Sequence, residues 1–322
     1  MTIPVISEQQ LRDCIALDKP MVNSMRTAFS ALANGTAEMP PILRLDVKDH
    51  NGEMDVKTAY IQGVEGFCLK VSTGFFDNPK KGLPSLNGMM TLLSSETGQV
   101  MAVLLDNGYL TDVRTAAAGG LSVELLSRKD GHNFGVIGTG LQARMQIEAA
   151  SFVRDIRTLR VWGRDRAKAE EYAKDMAGRL DAEIIVCDSA EDVVRHSDTV
   201  ITTTPSTEPV VQAEWLHEGL HITAMGSDAE HKNELAPQVL AQADLFVADS
   251  MKQSARLGEL HHALEARAVG EDFPVVELGQ LTNGSHKGRT SNVQITVCDL
   301  SGTGAQDTVI ALEAYRRVMA RR

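Results

Sequence analysis

Apolar and polar residues follow different patterns in different parts of this chain. Between residues 42 and 105 the apolar residues form short runs, and turn signals such as Asn51-Gly52 separate these runs. Short runs with such turns are typical of an antiparallel meander. The predicted strands of this region are 42–47, 54–61, 66–72, 88–94 and 100–105.

The first 34 residues have helical spacing instead. Apolar residues recur at helical intervals from Leu11 to Phe29, and Ser7 precedes them as a suitable N-cap. Because Pro20 is typical of the first turn of a helix, the pattern predicts two helices, the second starting near Asp18. Residues 111–126 also have a helical pattern. A helix beside a meander predicts an α+β domain.

From residue 134 onward, strand-like and helix-like segments alternate. The predicted strands are 134–137, 158–162, 183–187, 199–203, 221–225 and 244–248. The predicted helices are 142–152, 166–180, 190–197, 233–242, 252–267 and 308–319. Alternation predicts a parallel, doubly wound sheet. The predicted fold is therefore α/β, with a Rossmann-type domain at 118–303 inserted in an α+β domain formed by 1–117 and 304–322.

One glycine-rich turn joins the first strand and helix of the alternating region. It reads Gly138-Thr139-Gly140-Leu141-Gln142-Ala143. In a dinucleotide-binding turn, Gly138 allows the tight bend, Gly140 lets the backbone approach a pyrophosphate, and Ala143 lets the helix pack on the strand. The anion then lies at a helix N-terminus, where free N–H groups and the helix dipole favour it. The turn predicts a bound NAD or NADP.

The sequence after the second strand of this region leaves the choice between NAD and NADP open. An acidic residue there usually binds the adenine ribose, but this strand ends at Trp162 and is followed by Gly163-Arg164-Asp165. Arg164 is suited to adenine or a 2′-phosphate, and Asp165 to a ribose hydroxyl. Alternatively, both residues simply begin the next helix.

The composition of the chain indicates which binding partners to expect. The chain has 322 residues and a net charge of −11, from 32 Lys and Arg against 43 Asp and Glu. Since no basic run is present, we expect neither nucleic acid nor an anionic membrane as a partner. The four scattered cysteines and the nine histidines show no metal-ligand spacing, so no metal site is predicted. With no secretory signal evident near Ile3, we expect a cytoplasmic protein.

Several motifs together, in this order and spacing, resemble the ornithine cyclodeaminase/mu-crystallin family over nearly the whole chain. They are Arg114-Thr115-Ala116-Ala117-Ala118, the glycine-rich turn, Thr202-Thr203-Thr204-Pro205, Met225-Gly226-Ser227-Asp228, Lys232-Asn233-Glu234-Leu235, Glu277-Leu278-Gly279, and Gly302-Thr303-Gly304 with Asp307. The resemblance implies a homodimer whose N-terminal part and C-terminal helix bind substrate and form the dimer. It also implies hydride exchange between a nicotinamide and the α-carbon of an amino or imino acid.

The resemblance also implies roles for individual residues. Lys70 corresponds to the active-site lysine and Asp228 to the catalytic acid or base. Arg114 corresponds to the carboxylate-binding arginine, and Arg44 to a second carboxylate contact. The residues themselves leave simpler alternatives: a lysine that points outward for Lys70, a surface ion pair for Arg114, and a helix N-cap for Asp228.

The implied cofactor-binding set is larger. It comprises Arg114, Thr115, Gly138, Thr139, Gly140, Leu141, Gln142, Arg164, Asp165, Thr203, Thr204, Met225, Gly226, Ser227 and Asp228.

One departure from the family indicates the substrate. Ornithine cyclodeaminase has a glutamate on the strand before the active-site lysine, whereas this chain has Asp55-Val56-Lys57 there. Lys57 falls nearest the glutamate position, and Asp55 stays open. A cation there attracts a second carboxylate and repels a distal amine.

The segments 55–60, 70–79 and 83–88 also resemble the iminosuccinate-reductase branch of the family. The resulting hypothesis is NAD(P)H-dependent reduction of iminosuccinate to aspartate, with Ser85 and Asn87 as further substrate contacts or, alternatively, as turn residues. Two other functions stay open: an ornithine cyclodeaminase, and a mu-crystallin-like protein that binds nucleotide and a small ligand.

Overall fold

The computed structural model describes residues 2–321. The strands are β1 (Val5–Ser7), β2 (Ala37–Glu38), β3 (Leu43–Val47), β4 (Gly52–Ile61), β5 (Gly66–Phe75), β6 (Leu86–Ser94), β7 (Val100–Leu105), β8 (Asn133–Ile137), β9 (Thr158–Trp162), β10 (Glu183–Val186), β11 (Thr199–Thr202), β12 (His221–Ala224), β13 (Leu245–Ala248), β14 (Val275–Glu277) and β15 (Thr296–Asp299). The helices are α1 (Glu8–Cys14), α2 (Lys19–Ala33), α3 (Tyr109–Leu126), α4 (Leu141–Ser151), α5 (Arg166–Ala177), α6 (Ala190–Arg195), α7 (Pro237–Gln242), α8 (Met251–Leu257), α9 (Glu259–Glu265), α10 (Leu278–Thr282) and α11 (Gly304–Ala320). Short 3₁₀ turns cover Lys48–His50, Asn78–Lys81 and Ala213–Trp215.

The described chain divides into two compact units. The terminal unit contains residues 2–16, 24–114 and 303–321, and the central unit contains 17–23 and 115–302. The sequence placed the boundaries after residues 117 and 303, whereas the units divide after residues 114 and 302. It did not indicate that 17–23 group with the central unit, where Val22 packs close to Gly120.

The terminal unit is built on a seven-stranded sheet with the order β1-β7-β6-β5-β4-β2, and β3 also pairs with β4. The predicted meander is antiparallel from β3 to β7. The exception is β1, which pairs with β7 in parallel. This strand has only three residues, too few for an alternating pattern to predict it.

Helix α11 belongs to the terminal unit and packs on β4 and β5. The Thr308 hydroxyl donates to the Ala59 carbonyl at 2.7 Å and accepts from the Cys68 amide at 3.0 Å. The backbone of Gly304 approaches the Thr58 carbonyl so closely that a side chain would collide with it. These contacts attach the C-terminal helix to the middle of the terminal sheet.

The central unit is a doubly wound α/β domain, which confirms the predicted fold class. Its eight strands are all parallel, in the order β10-β9-β8-β11-β12-β15-β13-β14. The chain passes from β8 outward to β9 and β10 and then returns to β11 on the other side of β8. Strands β11, β12, β13 and β15 are buried along their whole length, as expected for a sheet covered on both faces. The reversal of direction between β8 and β11 is the position where such sheets bind ligands.

Two predicted helices of the central unit were wrong in extent. The helix predicted at 233–242 begins only at Pro237, because residues before it are extended and Leu235 bridges to Val211. The helix predicted at 252–267 is two helices that meet at Gly258. A side chain on Gly258 would collide with the carboxylate of Asp299, so the close approach requires glycine there. The sequence also gave no sign of β14, α10 or β15.

Within residues 2–321, none of the helices is both long enough and apolar enough to cross a membrane.

Candidate active site

A buried group of charged residues lies in the terminal unit. Nζ of Lys70 lies 2.9 Å from both carboxylate oxygens of Asp307 and donates a hydrogen bond to Oδ1. Nε of Arg114 donates to the same Oδ1 at 3.0 Å. The side chains are only 2%, 0% and 6% exposed for Lys70, Asp307 and Arg114. The structure therefore excludes an outward-pointing Lys70 and a surface ion pair for Arg114.

Three separate elements supply these side chains. Lys70 lies on β5, Arg114 lies on α3, and Asp307 lies in the first turn of α11. A carboxylate is favourable in a first turn because the N-terminus of a helix carries partial positive charge. A capping box between Thr303 and Gln306 fixes the start of α11 and so orients Asp307.

The buried group changes the acidity of its members. The pKa of Lys70 is lowered to about 8, mainly by burial; Arg114 and Lys57 act in the same direction, while Asp307 opposes the shift. For Asp307, burial acts in the upward direction, but Lys70 and Arg114 outweigh it, so the pKa of the carboxyl is lowered. At neutral pH the group is thus a carboxylate between two cations, and one of these cations can lose its proton near physiological pH.

Arg114 retains binding capacity. Its side chain makes one hydrogen bond within residues 2–321, and this bond uses Nε. The two terminal nitrogens of the guanidinium are then left to bind a carboxylate in a bidentate manner. This arrangement suits the carboxylate-binding role that the family resemblance implies.

Lys57 and Asp55 lie on the same face of the sheet as Lys70. Lys57 is directly opposite Lys70 in the register of β4 and β5, and Asp55 is opposite Ser72. Directly opposed residues place their side chains on one face. Oδ1 of Asp55 is buried and makes no hydrogen bond within residues 2–321.

Arg44 lies among acidic side chains. It is opposite Asp55 in the register of β3 and β4, and its guanidinium lies 2.5 Å from Glu53, 3.0 Å from Asp46 and 3.9 Å from Asp55. Arg44 therefore offers little net positive charge for the second carboxylate contact that the family resemblance implies.

Ser85 and Asn87 are less well placed than the sequence suggested. Asn87 is opposite Thr73, so it lies on the other face of the sheet from Lys70, and its side chain does not reach the buried group. Ser85 is half-buried and its carbonyl accepts from the Phe75 amide at 2.7 Å, which is the turn role that the alternative gave it.

Two carboxylates near Lys70 were not assigned from the sequence. Asp307 stood in a recognised motif, but only the structure shows its partners. Asp106 is 1% exposed, burial raises its pKa, and its Oδ2 accepts from the Leu110 amide at 2.9 Å. The turn Asp106-Asn107-Gly108 before a helix is a capping signal that could have indicated this residue.

The glycine-rich turn of the central unit has the features of a nucleotide-binding turn. Gly138 has a φ of +125° and lies so close to Thr203 that a side chain would collide with its hydroxyl. Around Gly140 the position of a Cβ has no neighbouring atom within 4 Å, and Gly140 begins α4 without a side-chain cap. The backbone at the N-terminus of α4 therefore has open space beside Gly140 and no capping side chain, which fits the approach of a pyrophosphate.

A cavity of about 240 Å³ lies beside this turn. Its walls are formed by Gly138, Thr139, Gly140, Trp162, Gly163, Arg164, Asp165, Lys168, Thr203, Thr204, Pro205, Ser206 and Val210. Asp165 is the N-cap of α5, because its Oδ1 accepts from the amides of Ala167 and Lys168. Asp165 thus begins the helix, as one alternative from the sequence had it, and it also lines the cavity.

The other predicted cofactor residues lie around strand ends and α4. Gln146 Nε2 donates to the Thr115 carbonyl and to Gln142, while Leu141 is exposed. Thr203 and Thr204 follow β11, and Met225, Gly226 and Ser227 follow β12.

Asp228 is exposed, and its Oδ1 lies 2.5 Å from Nζ of Lys232. The alternative that Asp228 is a helix N-cap was wrong, because the segment after it is not helical before Pro237.

Histidines 261 and 262 form a group with Glu265 that the sequence did not predict. Potential ligand atoms of the three lie within 4.8 Å of one another. Nε2 of His262 lies 2.7 Å from the Lys232 carbonyl, so this histidine has a structural hydrogen bond of its own.

Comparison with known proteins identifies the family. A sequence model of the ornithine cyclodeaminase/mu-crystallin family matches residues 5–322, and the chain belongs to that family.

Two sequence relatives illustrate the different enzyme names that occur among similar proteins. An uncharacterised cyclodeaminase of Sinorhizobium fredii is 52% identical over 321 residues, covering 99% of this chain and 97% of the relative. An alanine dehydrogenase of Archaeoglobus fulgidus is 35% identical over 320 residues, covering 98% and 95%.

Three solved structures have the same fold. The Thermococcus litoralis Δ¹-pyrroline-2-carboxylate reductase with NADH and L-proline has a TM-score of 0.93 at 30% identity, covering 99% of this chain and 98% of its own. An archaeal alanine dehydrogenase dimer with bound NAD gives 0.92 at 33% identity, covering 100% and 97%. The Paracoccus denitrificans iminosuccinate reductase with NAD⁺ gives 0.91 at 26% identity, covering 99% and 97%.

The buried group yields a prediction that does not depend on the substrate. We expect Lys70 to titrate near pH 8, and we expect Asp307→Asn to move its pKa further down, because the carboxylate that favours the charged amine is lost. NMR titration of the protein with isotopically methylated lysines measures both values. A Lys70→Met variant identifies the resonance. A pKa of Lys70 that stays the same or rises in Asp307→Asn would contradict this account.

Proposed function

We propose that this protein is an NAD(H)-dependent oxidoreductase that reduces the carbon–nitrogen double bond of an α-imino acid, with iminosuccinate as its substrate and L-aspartate as its product. The observation that carries the proposal is the buried carboxylate of Asp307 between Lys70 and Arg114. This buried group contains a guanidinium suited to binding a carboxylate and an amine of lowered pKa suited to donating a proton. Reduction of an imino acid requires both functions.

The cofactor follows from the central unit. The tight Gly138, the open N-terminus of α4 and the adjoining cavity fit a dinucleotide. The solved relatives with NADH, NAD and NAD⁺ support NAD(H). Arg164 in the cavity wall keeps NADP as the alternative, because a guanidinium suits a 2′-phosphate.

The residues of the terminal unit have distinct tasks in this reaction. When bound, the nicotinamide supplies the hydride for the imine carbon. Arg114 binds the α-carboxylate through its terminal nitrogens and orients the substrate. Lys70 in its protonated form donates a proton at the imine nitrogen, and Asp307 fixes the position of Nζ. The family resemblance implies an acid or base role for Asp228, and its side chain, which is paired with Lys232, is exposed to solvent.

The second carboxylate of the substrate is assigned to Lys57. Lys57 is directly opposite Lys70 and on the same face of the sheet. Arg44, the other candidate, is already surrounded by Asp46, Glu53 and Asp55. A dicarboxylate is therefore favoured over a substrate with a distal amine.

One observation favours a second candidate, an amino acid cyclodeaminase of the ornithine type. Asp55 lies on the same face as Lys57, and its buried Oδ1 makes no hydrogen bond within the described residues. A distal ammonium group would supply the missing donor. In that case NAD⁺ would be regenerated in each turnover rather than consumed.

We expect rapid NADH oxidation when iminosuccinate is generated in the assay from oxaloacetate and ammonia. The absorbance of NADH measures the rate. NADPH in a parallel assay decides the cofactor preference. Ornithine with catalytic NAD⁺ is the comparison: release of ammonia and proline from ornithine, with no NADH oxidation on iminosuccinate, would replace the reductase by the cyclodeaminase. Bound nucleotide without turnover of any α-imino acid would indicate a binding protein.

The role of Lys57 is tested by charge reversal. We expect Lys57→Glu to lower kcat/KM for iminosuccinate by about tenfold or more. The introduced carboxylate would then repel the second carboxylate of the substrate. Activity on a monocarboxylate imino acid should fall much less. Lys80→Glu is a matched control, since Lys80 is exposed in the 3₁₀ turn after β5. Equal losses on both substrates would remove the role in specificity.

We also propose that the protein is a homodimer formed through the face of the terminal sheet opposite Lys70. Leu43, Val56, Val71 and Met89 form one row across four strands on that face. Leu43, Leu45, Leu69, Met89 and Leu105 are each between 38% and 57% exposed. An apolar surface of this extent is typical of an interface, and the archaeal alanine dehydrogenase relative is a dimer.

A single charge in this face should separate the subunits. We expect Leu69→Lys to convert the dimer to a monomer in size-exclusion chromatography with light scattering, because a buried unpaired ammonium is costly. Leu83→Lys is the control, since Leu83 is 54% exposed but lies in the loop before β6. If Leu69→Lys remains dimeric at micromolar concentration, another surface forms the dimer.

A further inference from the structure

A series of three buried carboxylates lies near the carboxyl ends of strands in the central unit. Glu234, Glu259 and Asp299 are at most 1% exposed. Within residues 2–321 they form no ion pair with Lys or Arg, and N–H and O–H groups are their partners instead. Glu234 belongs to the motif Lys232-Asn233-Glu234-Leu235, whereas no sequence pattern predicts a role for the other two.

The three carboxylates are connected through the backbone. Asp299 accepts from the amide of Glu259 at 3.0 Å and from the hydroxyl of Ser254. Glu259 accepts from the amides of Glu234 at 2.9 Å and Leu235 at 3.0 Å. Each carboxylate therefore fixes the backbone of the next one in the series.

Glu234 is the end of this series, and it joins two strand ends. Its Oε1 accepts from the amide of Thr204 at 2.5 Å. Its Oε2 accepts from the amide of Gly226 at 2.7 Å and the hydroxyl of Thr202 at 2.6 Å. A Cβ on Gly226 would lie 2.6 Å from the carboxyl carbon of Glu234, so only glycine allows this approach. One side chain thus connects the segment after β11 to the segment after β12.

Burying these three carboxyl groups costs free energy of folding, because they lose their hydration. Burial raises the pKa of Glu234, raises that of Glu259 well above its usual range and raises that of Asp299 to about 7. Apolar residues in these positions would avoid the desolvation of three carboxyl groups. Groups of this kind concentrate at functional sites, where precise backbone placement is needed.

We propose that Glu234 is a positioning residue for the bound nucleotide, because it fixes the segments 203–206 and 225–228 relative to each other at the carboxyl ends of β11 and β12. Residues 203–206 line the cavity beside the glycine-rich turn. Ligands of open α/β sheets bind outside the carboxyl ends of the strands, next to such segments. This inference rests on the proposed dinucleotide cofactor and adds a residue that acts on the nucleotide through the backbone.

The test is Glu234→Gln, which keeps the size of the side chain but replaces one accepting oxygen by a donating NH₂ group. The amide of Gly226 or Thr204 then faces a donor. We expect the Kd for NADH, measured by fluorescence titration without substrate, to rise about tenfold or more, since a charge-assisted hydrogen bond is lost. The KM for the imino acid should stay within about twofold, because Lys70 and Arg114 do not depend on Glu234 in this proposal.

Asp198→Asn is the matched control. Asp198 also accepts from backbone amides, those of His132 and Asn133, but at the amino end of β8. We expect it to lower stability in urea as Glu234→Gln does while leaving the Kd for NADH unchanged. If Asp198→Asn raises the Kd as much, general loosening of the fold explains the effect and the positioning role is overturned.

A second variant decides the matter if Glu234→Gln does not fold. Thr202→Val keeps the shape of a buried strand residue and removes only the hydroxyl donor to Glu234, so a Kd for NADH raised about threefold is expected. An unchanged Kd in folded Thr202→Val or Glu234→Gln overturns this inference alone. Wild-type protein that binds neither NADH nor NADPH overturns the proposed function, and this inference with it.

Discussion

The interior of the terminal unit depends on one buried carboxylate. Asp307 lies between Lys70 and Arg114, and each of the three would be a buried, uncompensated charge without the others. Breaking such a group by removing one partner is far more costly than the group's net contribution to stability. Because its members come from β5, α3 and α11, the ion pairs also fix the place of the C-terminal helix, which Thr308 and Gly304 bring close to β4 and β5.

The central unit also buries carboxylates, but it compensates them with different groups. Three of its buried carboxylates, Glu234, Glu259 and Asp299, accept hydrogen bonds from N–H and O–H groups and form no ion pair with a cation within residues 2–321. Hydrogen-bond donors of the backbone fix geometry without adding a mobile charge. Cations in the terminal unit, by contrast, remain chemically usable, since Lys70 has a pKa of about 8. The terminal unit thus buries a carboxylate beside an amine of lowered pKa, whereas the carboxylates of the central unit bind backbone amides.

The local patterns of the sequence predicted most elements because each pattern depends on residues close in sequence. Alternation gave the meander from β3 to β7, and the glycine-rich turn gave the β8–α4 junction. The errors arose where tertiary contacts override local preference. Residues 233–236 are extended because Glu234 and Leu235 take part in long-range hydrogen bonds, and Gly258 divides a predicted helix because Asp299 lies against it. Strand β15 was not predicted, although it lies inside the central sheet between β12 and β13 and is buried along its whole length.

The sequence by itself determined the family, the doubly wound domain and most residues of the candidate site, because spacing and residue type are local properties. Only the tertiary structure decided which of these residues are together. Lys70 and Asp307 are 237 positions apart, and no periodicity relates them. The structure likewise placed Lys57 opposite Lys70, surrounded Arg44 with acids and put Asn87 on the other face of the sheet. Register and helix packing decide such contacts, and both depend on the whole chain rather than on any one segment.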